Sequence, residues 1–344
     1  MSKRFDFCIV GGGVIGAAVA YKIRDKGKVC ILEKNEAPFQ EASRNNSGVT
    51  HPGFNHPPDS FKGRLCVEGN RLLYEYCAAH DVPTNMCGTF VLALTREDAA
   101  AIARLRENAA RLGVELQNRM PEHRRPDAVD AVFAPRGGIV DAAAYCASLL
   151  SESAAQLFTG HRVTAIRWEK AGWEVDTSQG NFSCDFLLNA AGLSSDEIAA
   201  LAGYSDQRIY PCSGEYYEIQ GWSSPHLYYP APAGGPGLGV HLVPTFRNTT
   251  LIGPTATYLA SKTDPTRFHS ESEFREAAER LYPGCTSHPV RIGQRGVRPK
   301  LSAQGFHDYV IRRETDKPMI QLIGIESPGL TASLSIAEYV RQLI

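Results

Sequence analysis

The sequence predicts an α/β protein in which a Rossmann-like domain with a βαβ dinucleotide motif is interleaved with a second, β-sheet-rich domain that binds substrate. Three observations carry that prediction. An apolar run at 5–10 (FDFCIV) passes at once into GGGVIG, helical and strand-like segments then alternate along the chain, and two β-rich stretches interrupt this alternation instead of following it. The second domain is therefore expected from 86–137 plus 208–291, and the nucleotide-binding domain from 1–85 plus 138–207 plus 292–344.

The first unit sets the pattern. FDFCIV reads as a buried strand, AAVAYKIRDKG as a helix ending at Gly27, and VCILEK as a second strand. Gly11, Gly13 and Gly16 fill the three glycine positions of the motif. The first permits the tight turn, the second lets backbone approach a pyrophosphate, and the third lets helix pack closely on strand. The helix N-terminus then offers free N–H groups and a partial positive charge to phosphates. Glu33 closes the second strand, where a carboxylate accepts hydrogen bonds from ribose hydroxyls and disfavours a 2′-phosphate.

Residues 43–63 are rich in Gly, Pro, Asn and His and read as an ordered loop. Helical periodicity resumes at 64–79, with Leu65, Leu72, Leu73 and Tyr76 on one expected buried face. A strand is expected at 88–94, a helix at 96–112, and a charged connection at 119–130 whose Arg124–Arg125 pair reads as a solvated face. A strand-to-helix passage covers 138–154, and 161–176 reads as a hairpin turning at Lys170–Gly172. CDFLLNAAGLSSDEIAALAG is a strand, a small-residue turn at 189–192 and a helix. Short strands fill 209–253, a helix follows at 270–282, and the chain ends in a strand at 319–324, the loop IESPGL and a helix from Thr331.

Composition narrows the function classes. With 36 basic against 37 acidic side chains among 344 residues, the net charge of −1 creates no global field for nucleic acid, so no nucleic-acid partner is expected. No apolar run reaches the roughly 18 residues that span a bilayer, which leaves peripheral membrane contact open. The nine cysteines include no C-x-x-C pair and no metal-type cluster, which suggests a reduced, cytoplasmic thiol set and no metal site. Cys8, Cys30 and Cys184 lie in apolar runs and read as small core hydrophobes.

Taken together, IVGGGVIGAAVA with ILEK, the later LLNAAG, and the carboxy-terminal GVRP followed by a Pro-Gly loop and helix resemble the D-amino-acid-oxidase-like flavoprotein superfamily over nearly the whole chain. NSGVTHPG at 46–53, GEYYEI at 214–219, LGVHL at 238–242 and GIESPGLTASLSIA at 324–337 are most similar to its L-2-hydroxyglutarate dehydrogenase/oxidase branch. The chain departs from that branch at Phe54, Asn55 and His56, where two tyrosines are usual, in the IESPGL loop, and in a shortened 119–137 connection. The resemblance implies FAD, with its ADP part on the N-terminal motif and its ring system between two domains of glutathione-reductase-2-like architecture. It implies that Gly11, Gly13, Val14, Ile15, Gly16, Glu33 and Lys34 hold ADP, with Val163 on the adenine side and Ala191 and Gly192 beside the phosphates. Ser43, Asn46, Ser47 and Gly48 would run past the flavin. Gly296, Arg298, Pro328, Gly329, Leu330 and Thr331 would complete the cofactor site, the last helix turning its N-terminus to the flavin pyrimidine, where reduction places negative charge.

The activity implied is oxidation of a small 2-hydroxy acid, L-2-hydroxyglutarate or a close analogue, to the 2-oxo acid. That chemistry needs a carboxylate anchor, a base for the hydroxyl proton and a hydride acceptor. Arg298 is the candidate clamp, because a guanidinium pairs with carboxylate in a planar, bidentate way. His51 and His241 are the candidate bases, and His56 and His226 have no such support. Tyr216 and Tyr217 alternate along one strand, so one faces the pocket, with Tyr216 preferred. Tyr229 is a further candidate for the substrate cavity, and Lys300, two residues beyond Arg298, a second positive charge for a dicarboxylate. The electron acceptor is left open between oxygen, a quinone and a carrier protein. Three other readings stand beside this one: oxidation of an amino acid or amine on the same fold, a non-catalytic dinucleotide-binding module, and an NAD-dependent dehydrogenase.

Overall fold

The computed structural model describes residues 3–122, 128–170, 172–232, 234–235 and 237–344. The Arg124–Arg125 pair lies outside them. In chain order the elements are β1 (Lys3–Val10), α1 (Val14–Ile23), β2 (Val29–Leu32), β3 (Val49–Thr50), α2 (Phe61–Ala79), β4 (Thr84–Asn85), β5 (Thr89–Ala93), α3 (Asp98–Leu112), β6 (Asp130–Ala134), β7 (Gly138–Val140), α4 (Ala142–Glu152), β8 (Gln156–Phe158) and β9 (Val163–Glu169). Then come β10 (Gly172–Thr177), β11 (Gly180–Asn189), α5 (Ser195–Leu201), β12 (Tyr210–Gln220), β13 (Leu227–Pro230), β14 (His241–Pro244), β15 (Thr249–Gly253), β16 (Thr257–Tyr258), α6 (Glu271–Leu281), β17 (Val290–Lys300), β18 (Val310–Arg313), β19 (Met319–Ile323) and α7 (Gly329–Leu343).

The first sheet runs β18-β19-β11-β1-β2-β8, with the β9–β10 hairpin added on β11. β1 is parallel to both β11 and β2, with Val10 opposite Asn189 on one side and Leu32 on the other. That register brings the glycine loop, Glu33 and Ala190–Gly192 to one edge, at the carboxyl ends of the strands where open α/β sheets bind ligands. Such central strands are covered on both faces, and their continuous apolar sequences follow from that burial. One face packs under α1, α2, α4 and α7 through Val19, Ile23, Leu73, Tyr145 and Ile336; the other packs Trp173, Phe182 and Ile198 under the hairpin and α5. α1 has no polar stripe because all of it except Tyr21 and Lys22 is buried.

The second sheet runs β16-β12-β15-β14-β13-β5-β6, and β17 lies along the other edge of β12. It is antiparallel except where β13 joins β5. α6 covers one face with Phe274, Ala278 and Leu281, and its start carries the reciprocal Ser270–Glu273 capping box. A small sheet, β3-β7-β4, lies apart from these two. Among the described residues no helix is long and apolar enough to cross a membrane.

Several expectations shift. The strand at 290–300 pairs with β12 from Ile219↔Val290 to Tyr210↔Lys300, so a division at 292 falls inside a strand of the second sheet. The chain rejoins the first sheet only at β18. α2 begins at Phe61, not 64, because the Ser60 hydroxyl accepts the Gly63 N–H at 3.0 Å and caps it. Its buried stripe is Lys62, Cys66, Asn70, Leu73 and Tyr76, while Leu65 and Leu72 are only half-buried. The polar members of that stripe point inward because they serve the cleft. The last helix starts at Gly329, two residues before Thr331. All nine cysteines are free thiols, and Cys8, Cys30 and Cys184 sit fully buried in one core.

Candidate functional site

Two adjoining cavities, of about 450 and about 470 Å³, open along the carboxyl edge of the first sheet. They share Gly13, Ser43, Asn45, Gly192 and Gly296 in their linings, so one elongated ligand can occupy both. The smaller lies over the βαβ unit. Gly11 takes φ +114°, and a methyl there would come 2.3 Å from the Ala190 carbonyl oxygen. A methyl at Gly16 would come 2.1 Å from the Gly11 oxygen, so this glycine serves helix packing and does not itself line the cavity. Gly13 is the residue before α1, and no side chain caps that helix at this position. The Val14 N–H is met from outside by the Ser43 hydroxyl at 2.9 Å.

Glu33 is buried at the end of β2. One carboxylate oxygen accepts the Gly12 N–H at 2.8 Å and the other accepts from Asn35, fixing the acid at the cavity wall. Lys34, Val163, Ala191 and Gly192 line the same space. Arg295 joins them, with its Nε buried and meeting no acceptor among the described residues. A glycine turn, an open helix N-terminus, a carboxylate and an unspent guanidinium N–H are the donor and acceptor set of an adenosine diphosphate, so these residues fit FAD. Gly48 stays off both cavities; with its φ of +69°, a methyl there would come 2.7 Å from the Val140 oxygen, a structural role.

The larger cavity lies between the N-terminus of α7 and the face of the second sheet. Gly329, Leu330 and Thr331 form its floor together with Pro328, Ser47 and Asn46. No side chain caps α7, and of its first N–H groups that of Gly329 donates to the Glu326 carbonyl at 2.6 Å, which leaves those of Leu330 and Thr331 for an anion-bearing partner. The Thr331 hydroxyl instead ties in the histidine loop, accepting the His51 N–H at 3.0 Å and donating to the Val49 carbonyl at 3.2 Å.

Arg298 projects from β17 across β12. Its Nη1 donates to the Ser213 carbonyl at 3.2 Å and its Nη2 to the Thr255 carbonyl at 3.0 Å, which holds the guanidinium plane without spending all its donors. Gly214 makes this possible, because a methyl there would come 2.7 Å from Arg298 Nη2. Tyr216 lines the same cavity and burial keeps its phenol protonated by pushing the pKa up. Tyr217 points the other way and packs on Phe274.

His51 and His241 both line this cavity, brought from the loop after β3's start and from β14. His241 Nδ1 donates to the Gly239 carbonyl at 2.9 Å, which leaves Nε2 as an acceptor. Burial pulls its pKa down to about 3, and that of His51 down to about 4. Both imidazoles are therefore neutral across the physiological range. His51 Nε2 lies 3.3 Å from the Ser327 hydroxyl, and its carbonyl is held by Asn70 at 3.2 Å. Between them stands Tyr229, stacked on His241 at 3.9 Å and edge-on to His51 at 6.3 Å.

Tyr229 thus supports the histidines from behind and does not line the cavity, contrary to its expected contact with substrate. Its neighbour Tyr228 stacks on Phe90 in a separate core. Lys300 does line the cavity, as do His56, which had no support from the sequence, and Lys62, Gly214 and Glu326, which were not among the expected site residues. Gly214 stood within GEYYEI and was open to detection. Lys62 was not, since the sequence places it in the 43–63 loop, where a lysine ordinarily reads as solvated.

Fold and cleft define a flavin-dependent oxidoreductase of the two-sheet type. A family model for DAO-type FAD dependent oxidoreductases matches residues 6–343, and the chain belongs to that family. It is 29% identical to the L-2-hydroxyglutarate dehydrogenase of Indibacter alkaliphilus, an alignment covering 96% of each chain. It is 27% identical to the glycerol 3-phosphate dehydrogenase of Caloramator mitchellensis, over 99% of this chain and 74% of that one. Among solved structures, dithionite-reduced L-α-glycerophosphate oxidase from Mycoplasma pneumoniae, with FAD bound, shares the fold with a TM-score of 0.88 at 23% identity, over 99% of this chain and 94% of that chain.

Proposed function

We propose that this FAD-dependent oxidoreductase oxidises a small 2-hydroxy acid, L-2-hydroxyglutarate or a close analogue, to the corresponding 2-oxo acid. The observation that carries the reading is the pinned guanidinium of Arg298 on the wall of a cavity that also holds two neutral imidazoles. The substrate carboxylate pairs with the remaining N–H groups of Arg298, which sets the orientation of the adjacent carbinol. The hydroxyl proton passes to an imidazole Nε2 as the carbonyl forms, and His241, with Nδ1 committed to Gly239, has its tautomer set for this. Tyr216 adds a protonated phenol that donates to the same carboxylate. When bound, FAD supplies the hydride acceptor. The likeness to the Indibacter L-2-hydroxyglutarate dehydrogenase over 96% of this chain supports the substrate class.

The test is steady-state turnover of the yellow, FAD-loaded protein with an artificial electron acceptor. L-2-Hydroxyglutarate is expected to be oxidised with higher kcat/KM than glycerol 3-phosphate, glycine, sarcosine or D-amino acids. Turnover confined to amino acids, or to glycerol 3-phosphate, overturns the assignment. A protein whose colour never bleaches anaerobically with any of these is a binding module.

A further inference from the structure

A second charged group lies in the larger cavity, and nothing in the reaction above uses it. Lys62 of α2 and Lys300 of β17 both donate to one oxygen of Glu326, at 2.8 and 3.1 Å. Their side chains are 5%, 12% and 10% exposed respectively, so the cluster is almost out of water. Two ammoniums share one carboxylate, which leaves an excess positive charge in a place where unbalanced charge is costly. Among the described residues no second carboxylate pairs with either ammonium. His56 is held neutral, its pKa pulled to about 3 by burial first and by Lys62 next. Asp308 faces the start of α2, accepting the Phe61 and Lys62 N–H groups at 2.6 and 3.0 Å, and makes no ion pair with either lysine. Phe306 and Tyr309 offer Lys62 only their ring faces, at 5.4 and 5.3 Å.

We infer that Lys62 and Lys300, held in place by Glu326, form a second anion-binding subsite that takes the distal anionic group of the substrate. This rests on the reading of Arg298 as the anchor for the first. Lys300 follows Arg298 by two residues in an extended strand, so the two cations emerge on the same face about 7 Å apart along the backbone. The carboxyl carbons of an extended five-carbon diacid are on the order of 5 Å apart, which suits that spacing. Each ammonium has spent one of its three N–H donors on Glu326 and keeps others for a ligand. The chemistry the subsite reads is a terminal anion, and a carboxylate and a phosphate both supply it.

Dead-end ligands test this without turnover. Glutarate and pentanoate have the same length but differ in the distal charge, and binding of each to the FAD-loaded protein is followed by perturbation of the flavin absorbance. The native protein is expected to bind glutarate about tenfold tighter or more. Lys62→Met and Lys300→Met are each expected to abolish that preference while leaving pentanoate binding within about twofold, and Lys62→Arg is expected to retain it. If Lys62→Met does not retain flavin, Lys300→Met and Lys62→Arg decide the matter. Equal binding of the two acids by the native protein, or a preference that survives the methionine variants, overturns the subsite. Glycerol 3-phosphate in the same titration separates the two anions: tighter binding than glutarate assigns the subsite to phosphate. A lysine-dependent preference for glutarate in a protein that does not oxidise L-2-hydroxyglutarate keeps the subsite and removes the proposed reaction. Normal oxidation with KM unmoved in Lys62→Met does the reverse.

Discussion

The β1–α1–β2 wall of the cleft presents backbone, whereas the β12–β17 wall presents side chains. On the first, a turn at Gly11, an open helix N-terminus and a single acid, Glu33, define what can bind, and all lie within 23 residues of one another. On the second, Arg298 and Lys300 from β17, Tyr216 from β12 and His241 from β14 are placed by pairing between residues up to 90 apart, such as Tyr210 with Lys300. A backbone-defined site tolerates little change in the glycines and is nearly indifferent to neighbouring side chains. A side-chain-defined site keeps its shape under substitution and loses its chemistry one group at a time.

Breaking the first wall should therefore be the most severe single change. In Gly11→Val the added carbons would meet the Ala190 carbonyl at a separation near 2.3 Å, on a residue whose φ of +114° already excludes a β-branched side chain. The purified variant is expected to be colourless, with no oxidation of any substrate restored by added FAD. A yellow, active Gly11→Val would refute the comparison at its root. On the opposite wall, Arg298→Met should leave the flavin spectrum unchanged and lower kcat/KM for the hydroxy acid about 10² to 10³-fold, the usual cost of removing one partner of a desolvated charge pair. Arg298→Lys should recover little of this, because a single ammonium cannot both hold the Ser213 and Thr255 carbonyls and clamp a carboxylate. Loss of flavin from Arg298→Met would mean that the two walls are not separable.

The same contrast explains what could be read before folding. Gly11, Gly13, Gly16 and Glu33 are close in sequence, and each is demanded by a local backbone geometry, so spacing alone exposes them. The alternation of Tyr216 and Tyr217 was legible for a similar reason: a strand has a fixed period of two, and only the choice of face needed the structure. Lys62 carried no such signal, and Glu326, though inside the IESPGL loop, gave no sign of its partner. They meet only because α2 packs beside α7 and the loop before α7 turns back over it, a tertiary event with no local pattern. Tyr229 shows the opposite failure. Its place in a Tyr-Tyr-Pro strand suggested a pocket aromatic, but the parallel pairing of β13 with β5 turns it behind His241. The 292 division missed for a related reason, since an extended segment does not reveal which sheet it will join.

The histidines give a smaller and sharper test. An unperturbed imidazole base would lose activity as pH falls through about 6.5. Here burial lowers the folded pKa to about 4 for His51 and about 3 for His241, so the neutral, proton-accepting form persists to more acidic pH. kcat/KM, which reports the free enzyme, is expected to be flat from pH 8 to about 5.5 and to fall only below that. An acid limb centred near 6.5 that vanishes in either His51→Asn or His241→Asn would show that burial does not hold that histidine's pKa down.

Tyr229→Phe is expected to have the least effect, and it separates support from contact. The Tyr229 hydroxyl is buried and meets no partner among the described residues, while the ring makes the stack on His241. An unsatisfied buried hydroxyl costs about 1 kcal/mol or more, and phenylalanine keeps the ring and removes that cost. The variant should therefore melt slightly higher than the native protein, with kcat and KM within about twofold, because π-stacking behind a base changes little with a para hydroxyl. A Tyr229→Phe variant that raises KM tenfold would return the phenol to the substrate cavity, and with it a polar contact on the second wall that the geometry assigns to Tyr216 alone.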